Sequence, residues 1–359
     1  MSTLEDQAPS LKQFGALRRK AVSVSEEELI RTRPLLEDRD IPILVEPTVA
    51  GLDLAAWAQG NRPRLDDLLL KHRALLFRGF KVGDVAEFQR FVDASSDGER
   101  LEYRDRSSPR HEVGEHVYTS TDYPANQKIF PHNEGTYWLT WPLKIYFCCL
   151  QAPEQGGETP IADTRRIFQR IDPAIRRRFS EKKILYVRNY NDGFGLRWQD
   201  SFQTEDTSEV DRYCREKQIE TEWKGGGRLR TRQVREAIAV HPRTGEPVWF
   251  NHATFFHPST LDPEIRQTLL AEFAEEDLPY NTYYGDGSPI EPEVLDQLRA
   301  LYSEEKIVFP WQQGDVLMLD NMSVAHARES YKGERLIVVG MAEPCTREES
   351  NAAAERLGI

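Results

Sequence analysis

Two rhythms of apolar residues divide this chain. In Arg64–Arg73, Val85–Ala94, Thr164–Arg178 and Pro263–Glu276 apolar side chains recur three or four positions apart, as Phe88, Phe91 and Val92 do. That spacing predicts helices. Elsewhere short apolar runs are closed by glycine, proline or aspartate, which predicts strands. These runs are Ala74–Phe80, Lys144–Leu150, Val248–Phe250, Lys306–Pro310, Val316–Asp320 and Leu336–Met341. A Gly314-Asp315 turn separates the fourth from the fifth.

Strands on both sides of a central helical stretch suggest a mainly β fold with α, a double-stranded β-helix (jelly roll) with helices packed outside. The expected division is a charged helical arm over residues 1–40, one catalytic domain over 41–345 with a helical insert at about 164–235, and a tail over 346–359. No internal repeat or low-complexity tract interrupts it.

Composition narrows the function classes. Of 359 residues, 39% are hydrophobic and 30% charged, which suits a globular protein with a substantial core. The net charge of −12 argues against nucleic acid, because phosphate binding needs a basic stripe. The densest basic cluster, Arg176-Arg177-Arg178, reads as a solvated helix face. The cysteines, Cys148, Cys149, Cys214 and Cys345, form no C-x-x-C. A reducing, cytoplasmic setting is therefore the expectation. The opening Met1–Asp6 lacks the basic-then-apolar pattern of a secretory signal, and no apolar run is long enough to span a membrane.

Candidate chemistry centres on Pro131-His132-Asn133-Glu134-Gly135 and Asp320–His326. Two imidazoles and one carboxylate can occupy one face of an octahedral ferrous ion and leave three positions open. Residues i and i+2 of a strand share a face, so His132 and Glu134 can meet one ion there. His326, at a predicted strand end, is the candidate third ligand. An H-x-[D/E] pair is weak by itself, since 8 histidines and 59 acids supply about one by chance. A zinc hydrolase, and a catalytically silent jelly-roll protein with a structural metal, stay open on these residues alone.

Further segments carry a resemblance. Phe77-Arg78-Gly79-Phe80, Tyr118–Pro124, His132-Asn133-Glu134, Gly156–Asp163, Trp249-Phe250-Asn251 and Asp320–Met341 resemble the taurine dioxygenase/clavaminate synthase-like superfamily of Fe(II)- and 2-oxoglutarate-dependent oxygenases. Within it, the branch of the syringomycin-cluster aspartyl hydroxylase is the most similar. The resemblance spans roughly residues 40 to 345. It implies His132, Glu134 and His326 as iron ligands and catalytic residues, with 2-oxoglutarate and dioxygen as co-substrates. It matches Thr159 and Arg335 to the residues that hold 2-oxoglutarate. The chemistry agrees: a planar guanidinium binds a carboxylate through two charge-assisted hydrogen bonds, and a hydroxyl adds a donor.

The resemblance also implies the reaction: hydroxylation of an unactivated C–H bond in an amino acid or amino-acid-derived group, free or tethered to a carrier protein, in natural-product assembly. The same oxidant can instead desaturate, cyclise or epoxidise. Sulfonate-binding members carry a second arginine four residues beyond the first; Val339 stands there, so a sulfonate held that way is not expected. Halogenating members lack the carboxylate that Glu134 supplies, which favours oxygenation.

Candidate substrate contacts are Arg328, Asn251, Tyr123, Gln127 and Trp198, with Phe202 beside the last. Arg328 equally suits a structural salt bridge, Asn251 a turn, and Trp198 an ordinary core. His241, His252 and His257 are assigned to packing or supporting roles, because two histidines complete a facial triad.

Overall fold

The computed structural model describes residues 29–357, apart from 98–100, 102–104, 108–110, 115–116, 121–122 and 191–194. Its backbone is organised by strand Thr140–Gln151, which pairs antiparallel with Val316–Asp320 on one side and Leu336–Thr346 on the other. These three strands are central in an eight-stranded sheet. Both faces of the long strand are covered, and alternation decides what each residue meets. Ile145, Phe147 and Cys149 join one hydrophobic core, whereas Tyr146, Cys148 and Leu150 join another with Phe88, Phe91 and Val92 of helix Val85–Ala94. Burial on two faces is why this segment reads as a continuous apolar run rather than an alternating one.

A three-stranded sheet, ordered Ile129–His132, Val324–Arg328, Ile161–Asp163, lies across the first core. Its Ile161, Ala162, Val324 and Ala325 pack into the same cluster as Phe147, Leu317 and Val339 of the large sheet. Two mainly antiparallel sheets closing on one core are the jelly roll expected. A further sheet, Glu220–Lys224, Arg228–Arg235, Ile184–Tyr190 and Tyr280–Tyr284 in that order, packs beside it.

Several elements differ in detail from the periodicity. Thr164–Arg178 is two helices, Thr164–Arg170 and Pro173–Lys182. Ile171 is extended, Pro173 disfavours the helical conformation at Asp172 just before it, and the Asp172 carboxylate caps the second helix by accepting from Ala174 N–H. Helix Pro263–Glu272 stops at the extended Phe273, and a short 3-10 turn covers Glu275–Asp277. Lys306–Pro310 contributes one bridge, Ile161 to Ile307, and no strand.

The described residues of 164–235 carry three strands as well as helices, so that segment is mixed. Of the arm expected over residues 1–40, residues 1–28 lie outside the described residues, and Ile30–Pro34 is a strand paired with Ile43–Pro47. In the expected tail, Arg347–Leu357 is a helix. No helix among the described residues is long and apolar enough to cross a membrane.

Candidate metal centre and its two compartments

Strand pairing brings the two histidines together: His326 stands opposite His132 in the ladder between Val324–Arg328 and Ile129–His132. Glu134 arrives differently from the strand-face argument. The strand ends at His132, and Glu134 sits in the following turn, where Gly135 takes φ +74° and a Cβ would lie 2.4 Å from the Trp138 ring. A side-chain clamp replaces the pleat. Asn321 Oδ1 accepts the Glu134 N–H at 2.8 Å, and Asn321 Nδ2 donates to the carbonyls of Glu134 and Pro142, each at 2.9 Å. Asn133 donates to the Asn321 carbonyl at 2.6 Å. The clamp is fixed in turn by Asp320, whose Oδ1 accepts from Met322 and Ser323 N–H.

Three ligand atoms, one from each of His132, Glu134 and His326, lie within 4.8 Å of one another, and all three residues are buried. His132 Nδ1 is 2.9 Å from the Phe130 carbonyl, which can only accept, so Nδ1 carries the proton and Nε2 keeps its lone pair. Phe255 stacks on that imidazole with centroids 4.3 Å apart and planes 4° from parallel, and Phe147 packs on His326 at 4.9 Å. Two nitrogens and a carboxylate oxygen, packed in place by aromatic rings, fit a divalent metal of the ferrous type.

On one side of His132 a compartment is lined by Ser120, Phe147, Thr159, His326, Arg328 and Arg335. Arg335 donates from Nε to the Gly157 carbonyl at 2.9 Å and from a terminal nitrogen to Ser120 Oγ at 3.0 Å. Gly157, at φ +71°, leaves its path open, since a Cβ there would lie 3.1 Å from Arg335 Cδ. Burial, reinforced by the neighbouring Arg328, pulls the Arg335 pKa down to about 10. Arg335 makes no ion pair with a carboxylate among the described residues. A partly buried guanidinium in that state is a site for an anion. Thr159 Oγ1 accepts from Trp311 Nε1 at 3.2 Å, which leaves the threonine proton to be donated elsewhere.

On the other side of His132 a cavity of about 400 Å³ is lined by Glu134, Tyr123, Gln127, Phe255 and Tyr280 among others. Tyr123 and Gln127, candidate substrate contacts from the sequence, both line this cavity. Arg328 does not present a free fork to this cavity. It donates to the carbonyls of Tyr123, Pro124 and Gln127 at 2.9, 2.6 and 2.8 Å. Asn251 is occupied in shaping its own turn, donating to the Ala237 carbonyl at 2.7 Å and accepting from Ala253 N–H at 2.9 Å. Trp198 lies in a separate cluster with Tyr190, Phe202 and Cys214 and donates to the Gly227 carbonyl at 2.9 Å; its neighbours Gly195 and Leu196 reach the cavity instead.

The other histidines are supporting groups. His252 Nε2 donates to the Asn133 carbonyl at 2.8 Å, and burial beside His132 holds its pKa well below the ordinary imidazole value. His241 Nδ1 accepts two backbone N–H groups while Nε2 meets Asp320 at 2.9 Å. Burial pulls the His257 pKa down to about 4 at the rim. Sequence reasoning missed Ser120, Phe147, Phe255 and Asn321. Asn321 had a signal, being inside Asp320–His326; Phe255 had none.

Comparison with known proteins joins this geometry to a lineage. The chain is 41% identical over 293 residues to the dapdiamide synthesis protein DdaC of Enterobacter agglomerans, covering 81% of this chain and 89% of that one. It is 27% identical over 329 residues to a clavaminate synthase-like protein of Arabidopsis thaliana, covering 86% and 95%. Among solved structures, PvcB of Pseudomonas aeruginosa shares the fold with a TM-score of 0.54 at 17% identity, covering 89% of this chain and 94% of that one. The family described as taurine catabolism dioxygenase TauD, TfdA matches residues 32–341, which include both halves of the buried histidine–glutamate cluster. The chain therefore belongs to the TauD, TfdA family and is a 2-oxoglutarate-dependent non-haem iron dioxygenase.

Proposed function

We propose that His132, Glu134 and His326 hold the iron, that Arg335 and Thr159 hold 2-oxoglutarate, and that the enzyme hydroxylates a C–H bond of an amino-acid-derived small molecule in natural-product biosynthesis. The observation that carries this reading is the position of the His–Glu–His cluster. It stands at the wall between a compartment lined by the partly buried Arg335 and a cavity large enough for an organic substrate. The biosynthetic setting rests on DdaC, which is named for dapdiamide synthesis. When bound, the ferrous ion and 2-oxoglutarate supply the chemistry that couples dioxygen reduction to substrate oxidation, with succinate and carbon dioxide as co-products.

The chain's own residues supply geometry. Arg335 pairs with the distal carboxylate of the co-substrate, and the Thr159 proton, oriented by Trp311, adds a second contact. Phe147 and Phe255 exclude water beside the imidazoles. Tyr123, Gln127 and Phe255 line the wall against which the substrate is placed. The cavity suits an amino acid carried free or as the end of a tethered acyl group. No side-chain acid or base is needed.

The test has two stages. Anaerobic titration with Fe(II) and 2-oxoglutarate should give the weak visible charge-transfer band of a 2-oxo acid chelated to ferrous iron. Free and carrier-loaded amino acids are then screened for succinate formation with a mass gain of one oxygen atom. Loss of two hydrogens instead would assign desaturation or cyclisation. A folded protein that gives no band would defeat the enzyme reading of this cluster.

A further inference from the structure

Arg328 is 5% exposed and ties one compartment to the wall of the other. Its side chain lines the one that contains Arg335, yet its donors reach the carbonyls of Tyr123, Pro124 and Gln127. Tyr123 and Gln127 line the large cavity together with Glu134. The segment has two further ties to the same strand end. Tyr331 N–H donates to the Ala125 carbonyl at 2.8 Å, and Lys128 pairs with Glu329 at 2.8 Å. The cavity wall from Tyr123 to Lys128 is thus suspended from residues 328–331.

The Tyr331 ring links the two arginines, with the Arg328 guanidinium 5.3 Å and the Arg335 guanidinium 5.5 Å from its centroid. Two like charges gathered on one ring repel, and Arg328 depresses the proton affinity of Arg335. An anion against Arg335 cancels that repulsion and stabilises the Arg328 position from which all three carbonyls are reached. The cavity wall feels that stabilisation through the three carbonyls that the fork holds.

We propose that Arg328 is a positioning residue through which an anion bound at Arg335 orders the Tyr123–Lys128 wall of the substrate cavity. The proposal rests on the reading that 2-oxoglutarate binds at Arg335. It makes co-substrate binding a precondition for a well-formed substrate site, and by reciprocity substrate tightens the co-substrate.

The experiment is backbone hydrogen exchange on the full chain loaded with Fe(II), with dioxygen excluded, with and without 2-oxoglutarate. In the unsubstituted protein 2-oxoglutarate should slow exchange over residues 123–130 by about tenfold. Arg328→Gln should still give the visible charge-transfer band, but the slowing should fall below about twofold. Arg328→Lys, which keeps the charge without the fork, should fall between; it also serves if the glutamine variant does not fold. A purely structural arginine would loosen the segment equally with and without 2-oxoglutarate, and that result overturns the proposal. So does an unsubstituted protein that forms the band with no change in exchange. If the unsubstituted protein forms no band, the co-substrate site itself is refuted, an outcome distinct from failure of the coupling.

Discussion

Asn321 holds the backbone of Glu134 by both ends, accepting its N–H at 2.8 Å and donating to its carbonyl at 2.9 Å. The two residues are far apart in the chain, yet this pair fixes where the carboxylate turns relative to the imidazoles. Asn321→Ala should leave a buried N–H and two carbonyls unsatisfied, costing about 2 to 3 kcal/mol of stability. It should also weaken Fe(II) binding by about 10- to 100-fold, the usual effect of removing a group that orients a ligand. Thermal unfolding and anaerobic metal titration check both. Unchanged metal affinity would mean that the turn holds Glu134 without the clamp.

The proposed ligand and co-substrate roles separate cleanly by substitution. Glu134→Ala should abolish succinate formation through loss of the metal, whereas Arg335→Lys should retain metal. The lysine keeps a charge but loses the planar fork, so 2-oxoglutarate affinity should fall by about 30-fold, some 2 kcal/mol. Metal content and the co-substrate dependence of the visible band distinguish the two. Equal loss of metal in both variants would contradict the assignment.

Thr159 and Trp311 form a relay that can be cut without changing shape. Thr159→Val removes the acceptor for Trp311 Nε1 and the hydroxyl proton together. About 1 to 2 kcal/mol of stability and roughly tenfold in 2-oxoglutarate affinity should be lost. Thr159→Ser should restore most of the affinity. If serine behaves like valine, the methyl group rather than the hydroxyl is what matters, and the hydrogen-bonding role is wrong.

Acid sensitivity should trace in part to Glu343. Burial raises its proton affinity, but Lys144 and Arg243, each 2.6 Å away, outweigh that and hold its pKa below the ordinary carboxylate value. A folded-state pKa below the unfolded one stabilises the native state above about pH 4.5, and that contribution is lost as pH falls through the folded value. Glu343→Gln should therefore cost about 3 kcal/mol near neutrality. This is the low end for such pairs, because Lys144 keeps Asp66 at 2.5 Å. The gap between the two proteins should narrow as pH falls below the ordinary carboxylate value of 4.5 and close once it passes the lower folded-state value. A gap that stays constant down to pH 3 would show that the ionised carboxylate is not its source.

What the sequence revealed followed its physical signals. Strands buried on both faces, such as Val316–Asp320, and the strongly amphipathic helix Val85–Ala94 were readable because local pattern and tertiary environment agree. Strand Arg228–Arg235 was not. Its four arginines, at 228, 230, 232 and 235, suggest a solvated segment, but Arg230 and Arg235 are buried with their guanidiniums bonded to carbonyl and carboxylate oxygens. The Gly225-Gly226-Gly227 turn before it was the available hint.

The site showed the same division. Residue types and motif order point to the metal cluster, whereas the stacking of Phe255 on His132 joins positions more than a hundred residues apart that no local rule connects. Arg328 was legible as an arginine near the site but not as a clamp on carbonyls, since main-chain partners leave no trace in side-chain identity.

Because His132 and His326 face each other across one ladder, a single alignment of two strands delivers both imidazoles to the same place. Inserting or deleting one residue in Ile129–His132 or in Val324–Ala325 would rotate one ring to the reverse side of the sheet and scatter the cluster outright. Evolution and protein engineers alike can thus vary the identities of neighbouring side chains far more freely than the length of these two short segments.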